Sequence, residues 1–193
     1  MKQLRSAGLT VYQFRSPGSV KAIEDCIIRI GIVMGEEAAA KKLTQWMDAR
    51  LAAVAAKLST LSSNARLSVM DFGTWGTASG AGSSWDEIVR LAGLKNAVAG
   101  LKADQYGSVP MSKELILQID PDILMLPAWV YGDAKGSDMF FASTVADPAF
   151  RGLKAVKSGR VHRMPENLKT ATSQYIVFAV EDLARYAYPD LFK

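Results

Sequence analysis

Few side chains in this chain of 193 residues suit bond-making chemistry. There is one histidine, His162, and one cysteine, Cys26, and no GxSxG, HExxH or paired-cysteine spacing occurs. His162 falls inside the short stretch Gly159 to Pro165 and reads as a packed strand residue. Cys26 has no second cysteine to pair with and lies on the apolar face of a helical pattern, which makes it a small core residue. The segment whose pattern does suggest ligand chemistry is Gly73 to Gly82, a glycine-rich loop between a strand, Arg66 to Gly73, and a helix, Trp85 to Ala92. Backbone N–H groups in such loops cradle phosphates. Here the third glycine of the dinucleotide fingerprint is missing after Gly80 and Gly82, and no lysine follows as in a P-loop. An α/β nucleotide-binding domain or enzyme using the Gly73–Gly82 loop is therefore an alternative reading, beside an interaction domain with no small ligand. In open α/β sheets ligands of any kind settle beyond the carboxyl ends of the strands, where this loop lies.

The elements that must position these residues follow from periodicity. The longest helical pattern runs from Gly35 to Ser59, with Leu43, Met47, Leu51, Val54, Leu58 and then Leu61 on one stripe, acidic residues in the first turn and Lys57 in the last. Before it, Lys2 to Ala7 reads as the end of a helix capped by Gly8, Thr10 to Phe14 as a short strand, and Ser16-Pro17-Gly18 as a turn. Ser19 then caps a helix carrying Val20, Ile23, Ile27, Ile30 and Met34 and ended by Gly35. After the long helix come the strand at Arg66, a brief extended piece at Asn96 to Val98, and a loop through Tyr106 to Pro110. A helix from Ser112 to Ile119, a buried strand ILMLP and an aromatic loop follow, then a helix around Ala142 to Phe150. The strand Gly159 to Pro165 and a helix from Thr170 to Tyr186 complete the chain. Strands each followed by a helix define an α/β fold, a small mostly parallel sheet flanked by helices, like a Rossmann lobe.

Composition narrows the function. With 49% hydrophobic and 22% charged residues the chain is globular, and a net charge of +4 without like-charge runs gives no footprint for nucleic acid or an anionic membrane surface. No apolar run approaches the length of a membrane span, so an integral membrane protein is not expected, and the first ten residues lack the apolar core of a secretory signal.

The order GEEAAAKKL on a long helix, a strand ending in glycine, GSSWDEIVRLAGLKNAV, VPMSKELILQIDPDILMLP and LKAVKSGRVHRMP resembles the substrate-binding proteins of ABC importers for iron-siderophores, haem and cobalamin. The likeness covers nearly the whole chain. Its most specific piece is Ser112-Lys113-Glu114-Leu115 followed by Asp120-Pro121-Asp122 and an apolar strand. The resemblance implies no enzyme and no cofactor, but two α/β lobes joined by one long helix, with a metal chelate held in the cleft between them. It also implies an ABC transporter permease as partner and an extracytoplasmic location, periplasmic or lipid-anchored. On this basis residues 1–34 correspond to the end of the first lobe and the following helix, 35–59 to the linking helix and 60–193 to the C-terminal lobe. The expectation is then a truncated form without its signal peptide, self-associating through its N-terminal segment with Val20, Ile23 and Ile27 buried against a partner.

Bare zinc or manganese needs several converging imidazoles or carboxylates, which one histidine does not supply, whereas a chelated metal asks only for flat apolar surface and a few polar or cationic groups. The resemblance thus directs attention to aromatic and cationic residues in loops after the strands: Trp75, Tyr106, Trp129, Tyr131 and Lys169. Trp85 at a helix start and Trp46 on the linking helix read as packing residues. Glu114 matches the family position that meets an arginine of the transporter. It also sits in the first turn of a helix capped by Ser112, where a carboxylate is favoured without any partner.

Overall fold

The computed structural model describes residues 2–14 and 17–193. In chain order the elements are helices α1 (Lys2–Ser6), α2 (Val20–Met34) and α3 (Glu37–Leu58), strands β1 (Ser68–Asp71) and β2 (Thr77–Ser79), and helix α4 (Ser84–Leu91). Strands β3 (Lys95–Asn96) and β4 (Ser108–Pro110), helix α5 (Lys113–Ile119), strand β5 (Ile123–Pro127) and helices α6 (Gly136–Ala146) and α7 (Lys154–Lys157) follow. Strand β6 (Val161–Met164) and helices α8 (Glu166–Lys169) and α9 (Ile176–Ala187) end the series. Four strands pair in parallel in the order β3-β1-β5-β6, while β2 and β4 form a separate antiparallel ribbon.

Side chains alternate across a strand, and that alternation sorts the core into two layers. Val69, Ile123, Met125 and Met164 face one way, onto Met47 and Val54 of α3, Trp85 and Ile88 of α4 and Ile176, Val180 and Leu183 of α9. Met70, Leu124, Leu126 and Val161 face the other way, onto Ile116 of α5, Phe150, Leu153 and Ala155. Each fully buried side chain of this size contributes about 1.5 to 3 kcal/mol. The sheet is therefore covered on both faces, as parallel sheets require.

The motif that carried the family resemblance has a structural account. Ser112 Oγ accepts the Leu115 N–H at 3.2 Å and starts α5, and Asp120 ends it in the left-handed conformation at φ 45°. Asp122 Oδ2 then accepts both the N–H and the hydroxyl of Ser68, each at 2.8 Å, which fastens β5 to the start of β1. Burial works against the charge of Asp122, but the Ser68 donors outweigh it and hold the carboxyl below its ordinary range.

Helices α2 and α3 form an antiparallel pair laid on this lobe. Ser19 Oγ caps α2 by accepting the Ala22 N–H, and the Val20 N–H donates to Glu87 of α4 at 2.7 Å. Gly35, at φ 71°, closes α2. Gly31 allows the two helices to meet: a Cβ there would stand 2.5 Å from Cβ of Ala40. Arg50 of α3 donates from Nε to Glu181 of α9 at 2.7 Å, with a second bond from its terminal nitrogen, and its guanidinium lies over the rings of Trp46 and Phe178.

Several expectations need correction. Thr10 to Phe14 is not a strand; it runs without regular structure or a ladder partner, and Tyr12 instead packs its ring near Phe14. Part of the turn expected at Ser16-Pro17-Gly18 lies outside the described residues. Val20 and Ile23 are buried in the chain's own core rather than awaiting a partner, whereas Ile30, Ile32, Val33 and Met34 at the far end of α2 are exposed. Cys26 is half-buried at the edge of a depression with Phe14 and Arg29. The helix expected at Ala142 to Phe150 is α6, six residues earlier at its start; Asp147 accepts the Ala149 N–H and redirects the chain into a tight turn, Pro148–Gly152. The last long helix begins at Ile176 rather than Thr170, and Tyr175 of its expected stripe is exposed.

Candidate functional site

The carboxyl ends of β1, β5 and β6 open on one side of the sheet, and the loops leaving β1 and β5 carry three of the candidate aromatics. After β1 the chain turns through Phe72 to Gly76, with the Phe72 N–H on Met125 O at 2.9 Å and the Gly73 N–H on Thr77 O at 3.0 Å. It then enters the ribbon. After β5 the chain passes Trp129 and Tyr131, which meet edge to face at 5.9 Å. Two depressions share Trp129. One, of about 470 Å³, is lined by Thr74, Trp75, Pro127, Trp129, Val130 and Tyr131. The other, of about 550 Å³, is lined by Ala128, Trp129, Pro165, Asn167 and Thr170.

Three of the expected aromatics thus come together here, and they are unusually bare: Trp75 is 92% exposed, Tyr131 88% and Trp129 56%. Together these rings form an exposed apolar patch around one depression. Tyr106 is also exposed but lies in the turn at the opposite end of the β2–β4 ribbon from Trp75, held by its N–H on Asp104, and lines neither depression. Lys169 follows β6 as expected, yet its ammonium donates to Asp71 Oδ2 at 3.1 Å, with the two side chains 12% and 2% exposed. Asp71 also accepts the N–H and the hydroxyl of Ser79, each at 2.7 Å. This network ties β1, the ribbon and α8 together. Sequence reasoning passed over Asp71, although a lone carboxylate in an apolar strand is a signal that a buried partner is required.

The Gly73–Gly82 loop has little left to offer a phosphate. The Gly76 N–H is bonded to Gly73 O, the Gly80 N–H to Gly107 O and the Gly82 N–H to Asp86. Its glycines serve packing instead: a Cβ on Gly80 would press on Ala103 and Val109 at 3.0 Å. Trp85 is buried and Trp46 packs edge-on against Phe178 at 5.7 Å. His162 is half-buried against Tyr186, beside a void of about 120 Å³; its Nε2 is enclosed without a partner among the described residues, and burial lowers its pKa to about 4.

Glu114 stands exposed in the first turn of α5. Its own backbone N–H, then the Ser112 hydroxyl, hold its carboxyl below the ordinary value. No group of three or more His, Cys, Asp or Glu among the described residues is arranged to hold a metal ion, and no helix there is long and apolar enough to cross a membrane.

A parallel sheet covered on both faces by helices serves many functions, and sequence comparison supplies the family. The chain belongs to the periplasmic binding protein family, whose sequence profile matches residues 2–168. It is 29% identical over 198 residues to the ABC transporter substrate-binding lipoprotein YvrC of Bacillus subtilis (strain 168), covering 100% of this chain and 58% of YvrC. It is 33% identical over 124 residues to a cobalamin-binding protein of Halobacterium salinarum (strain R1), covering 64% of this chain and 33% of that protein. The chain therefore spans 58% and 33% of these curated relatives. Among solved structures, the periplasmic heme-binding protein RhuT from Roseiflexus sp. RS-1 superposes with a TM-score of 0.81 at 19% identity, over 98% of this chain and 71% of that one. Helicobacter pylori CeuE with Ni(II) bound gives 0.74 at 18%, over 99% and 59%. These likenesses establish the fold.

Proposed function

We propose that this chain is the ligand-capturing part of an ABC importer for a metal chelate, a ferric siderophore, haem or cobalamin. It holds the chelate on the aromatic face at the carboxyl ends of β1, β5 and β6 and presents it to a membrane permease outside the cytoplasm. The observation that carries the reading is the cluster of Trp75, Trp129 and Tyr131, bare to solvent around two joined depressions. Flat rings facing water suit a flat or coloured chelate by stacking. The relatives' names support it, since one is a transporter's binding lipoprotein and another a cobalamin-binding protein. Tyr106 joins the site if the ligand extends across the ribbon.

In this reading residues 60–193 form the C-terminal lobe, 35–59 the linking helix, and 1–34 the end of a first lobe with the helix after it. Glu114 is the docking group for an arginine of the permease. A site shared between lobes keeps about half its contacts in one of them, so binding in the high-micromolar to millimolar range is expected, about 4 to 6 kcal/mol. The exposed apolar end of α2 favours self-association at high concentration, which light scattering reads directly. The function is tested by tryptophan quenching with coloured iron chelates, haem and cobalamin. Saturable quenching by at least one is the expected result, and thermal stabilisation by a nucleotide with no quenching by any chelate would sink the proposal.

A further inference from the structure

We infer that the cavity between β6 and α9 is a binding site for one soft, singly charged metal ion, Cu(I). Its walls bring together four donor groups: the imidazole of His162, the thioethers of Met125 and Met164, and the carboxylate of Asp182. Thioethers and imidazole are the ligands that select this ion. The topology accounts for their meeting. Met125 and His162 are register partners on the neighbouring strands β5 and β6, and Met164 lies two residues beyond His162, so the three side chains leave the same face of the sheet. Helix α9 covers that face and supplies Leu183 as an apolar wall, with Asp182 and, one turn on, Tyr186 beside it. At about 120 Å³ the cavity has room for the ion and a few waters of about 30 Å³ each.

Packing alone accounts for the two methionines, which are buried in the core. It does not account for His162, whose Nε2 is enclosed and has no hydrogen-bond partner among the described residues. A polar atom left in that state costs stability, and a metal ion that takes its lone pair removes the cost. Burial also keeps the imidazole neutral, the form in which it binds metals. Asp182 stands at the rim, where desolvation and then Glu181 raise its carboxyl above the ordinary value against the pull of Arg185, so a cation beside it would be stabilising. Arg163, the other charged group of the lining, leaves the opposite face of β6, where it is bonded to Asp138 and lies over Phe141 at 5.0 Å. One nitrogen, two thioether sulfurs and a single carboxylate make a soft donor set with one negative charge. Calcium and magnesium ask for six or more oxygens instead. The site does not depend on the chelate-binding reading, and its four donors line neither aromatic depression.

The test is competition for Cu(I) against a chromophoric chelator, with ascorbate and without oxygen, in the Cys26→Ser chain, because a free thiol binds the same ion. The expected result is one equivalent of Cu(I) per chain. The melting temperature should rise by about 5 to 10 °C when free ion stands about a hundredfold above Kd. Met125→Leu and Met164→Leu keep the volume of the side chain and remove its sulfur. Each should leave the melting temperature of the metal-free chain within about 5 °C and weaken Cu(I) binding about tenfold. His162→Gln should weaken it about a hundredfold, whereas Met139→Leu, at an exposed position on α6, should change nothing. X-ray absorption of the loaded chain should show nitrogen and sulfur around the copper. Failure of the Cys26→Ser chain to compete for Cu(I) would overturn the inference. So would binding that Met125→Leu, Met164→Leu and His162→Gln all leave within about twofold, or displacement of Cu(I) by equimolar Zn(II).

Discussion

Acidification should destabilise the chain through His162, and the size of the effect follows from its surroundings. The imidazole is half-buried against Tyr186, and burial takes its pKa from the ordinary 6.5 to about 4. In the unfolded chain it binds a proton near 6.5, so as the pH falls below that value the unfolded state gains a proton the folded state refuses. Stability is unaffected above about pH 7, declines from about 6.5 downward, and the loss is complete near pH 4. At about pH 5 the gap is about 1.5 units, and at 1.36 kcal/mol per unit the ceiling is about 2 kcal/mol; partial access of solvent brings it to about 1 to 2 kcal/mol. For a chain of this length that corresponds to a fall of about 3 to 6 °C in melting temperature. The assay is urea unfolding of the unaltered chain and of His162→Gln at about pH 7.5 and 5. Carboxylates titrate in both proteins, so the difference between them isolates the imidazole. Equal losses on acidification would refute the reasoning.

Other outcomes are open to direct measurement. Glu24 is buried between α2 and α3, and burial, followed by the neighbouring Asp48, raises its pKa above the ordinary 4.5; the stability its proton confers is present at low pH and lost as the pH rises through that raised value. Glu24→Gln should therefore stabilise the chain at neutral pH, by about 1 kcal/mol, with the gain vanishing on acidification in denaturant titrations. Gly31→Ala should cost about 1 to 3 kcal/mol in thermal unfolding, because its Cβ would meet Ala40 at 2.5 Å and push the two helices apart. Trp129→Ala should weaken chelate binding about three- to tenfold, read by quenching of Trp75, with little change in melting temperature since the ring is largely exposed. Glu114→Gln should leave chelate affinity unchanged and reduce both permease binding and its salt dependence; unaltered binding would leave Glu114 with its capping role alone.

What could be read in advance was whatever leaves a periodic or capping trace. The long helix, the strands at Val69, Leu124 and Val161 and the caps at Ser19, Ser112 and Gly35 all stand where the pattern put them. The β2–β4 ribbon escaped because three-residue strands such as Thr-Ala-Ser carry no hydrophobic signature and pair with residues some thirty positions away. Thr10 to Phe14 misled for the opposite reason: it has strand-forming residues, but propensity without a ladder partner does not make a strand. Of the candidate residues, Trp75, Trp129 and Tyr131 were visible as aromatics in loops, and the three line one depression. The inward turn of Lys169 was not, since it depends on Asp71 lying across the fold, a partner 98 positions away.

The pair of helices α2 and α3 has a mechanical meaning. From Glu36 to Leu58 the sequence has neither glycine nor proline, and the shaft is braced at mid-length by Arg50 on Glu181 and near its start by the close approach of Gly31 to Ala40. Such a shaft does not bend at thermal cost. At 22 residues it is about 33 Å long, and the Arg50 contact with α9 leaves about 20 Å of it toward Glu37 and about 12 Å toward Leu58. A tilt of about 5° about that contact would move the Glu37 end by about 2 Å and the Leu58 end by about 1 Å in the opposite direction, as one rigid piece.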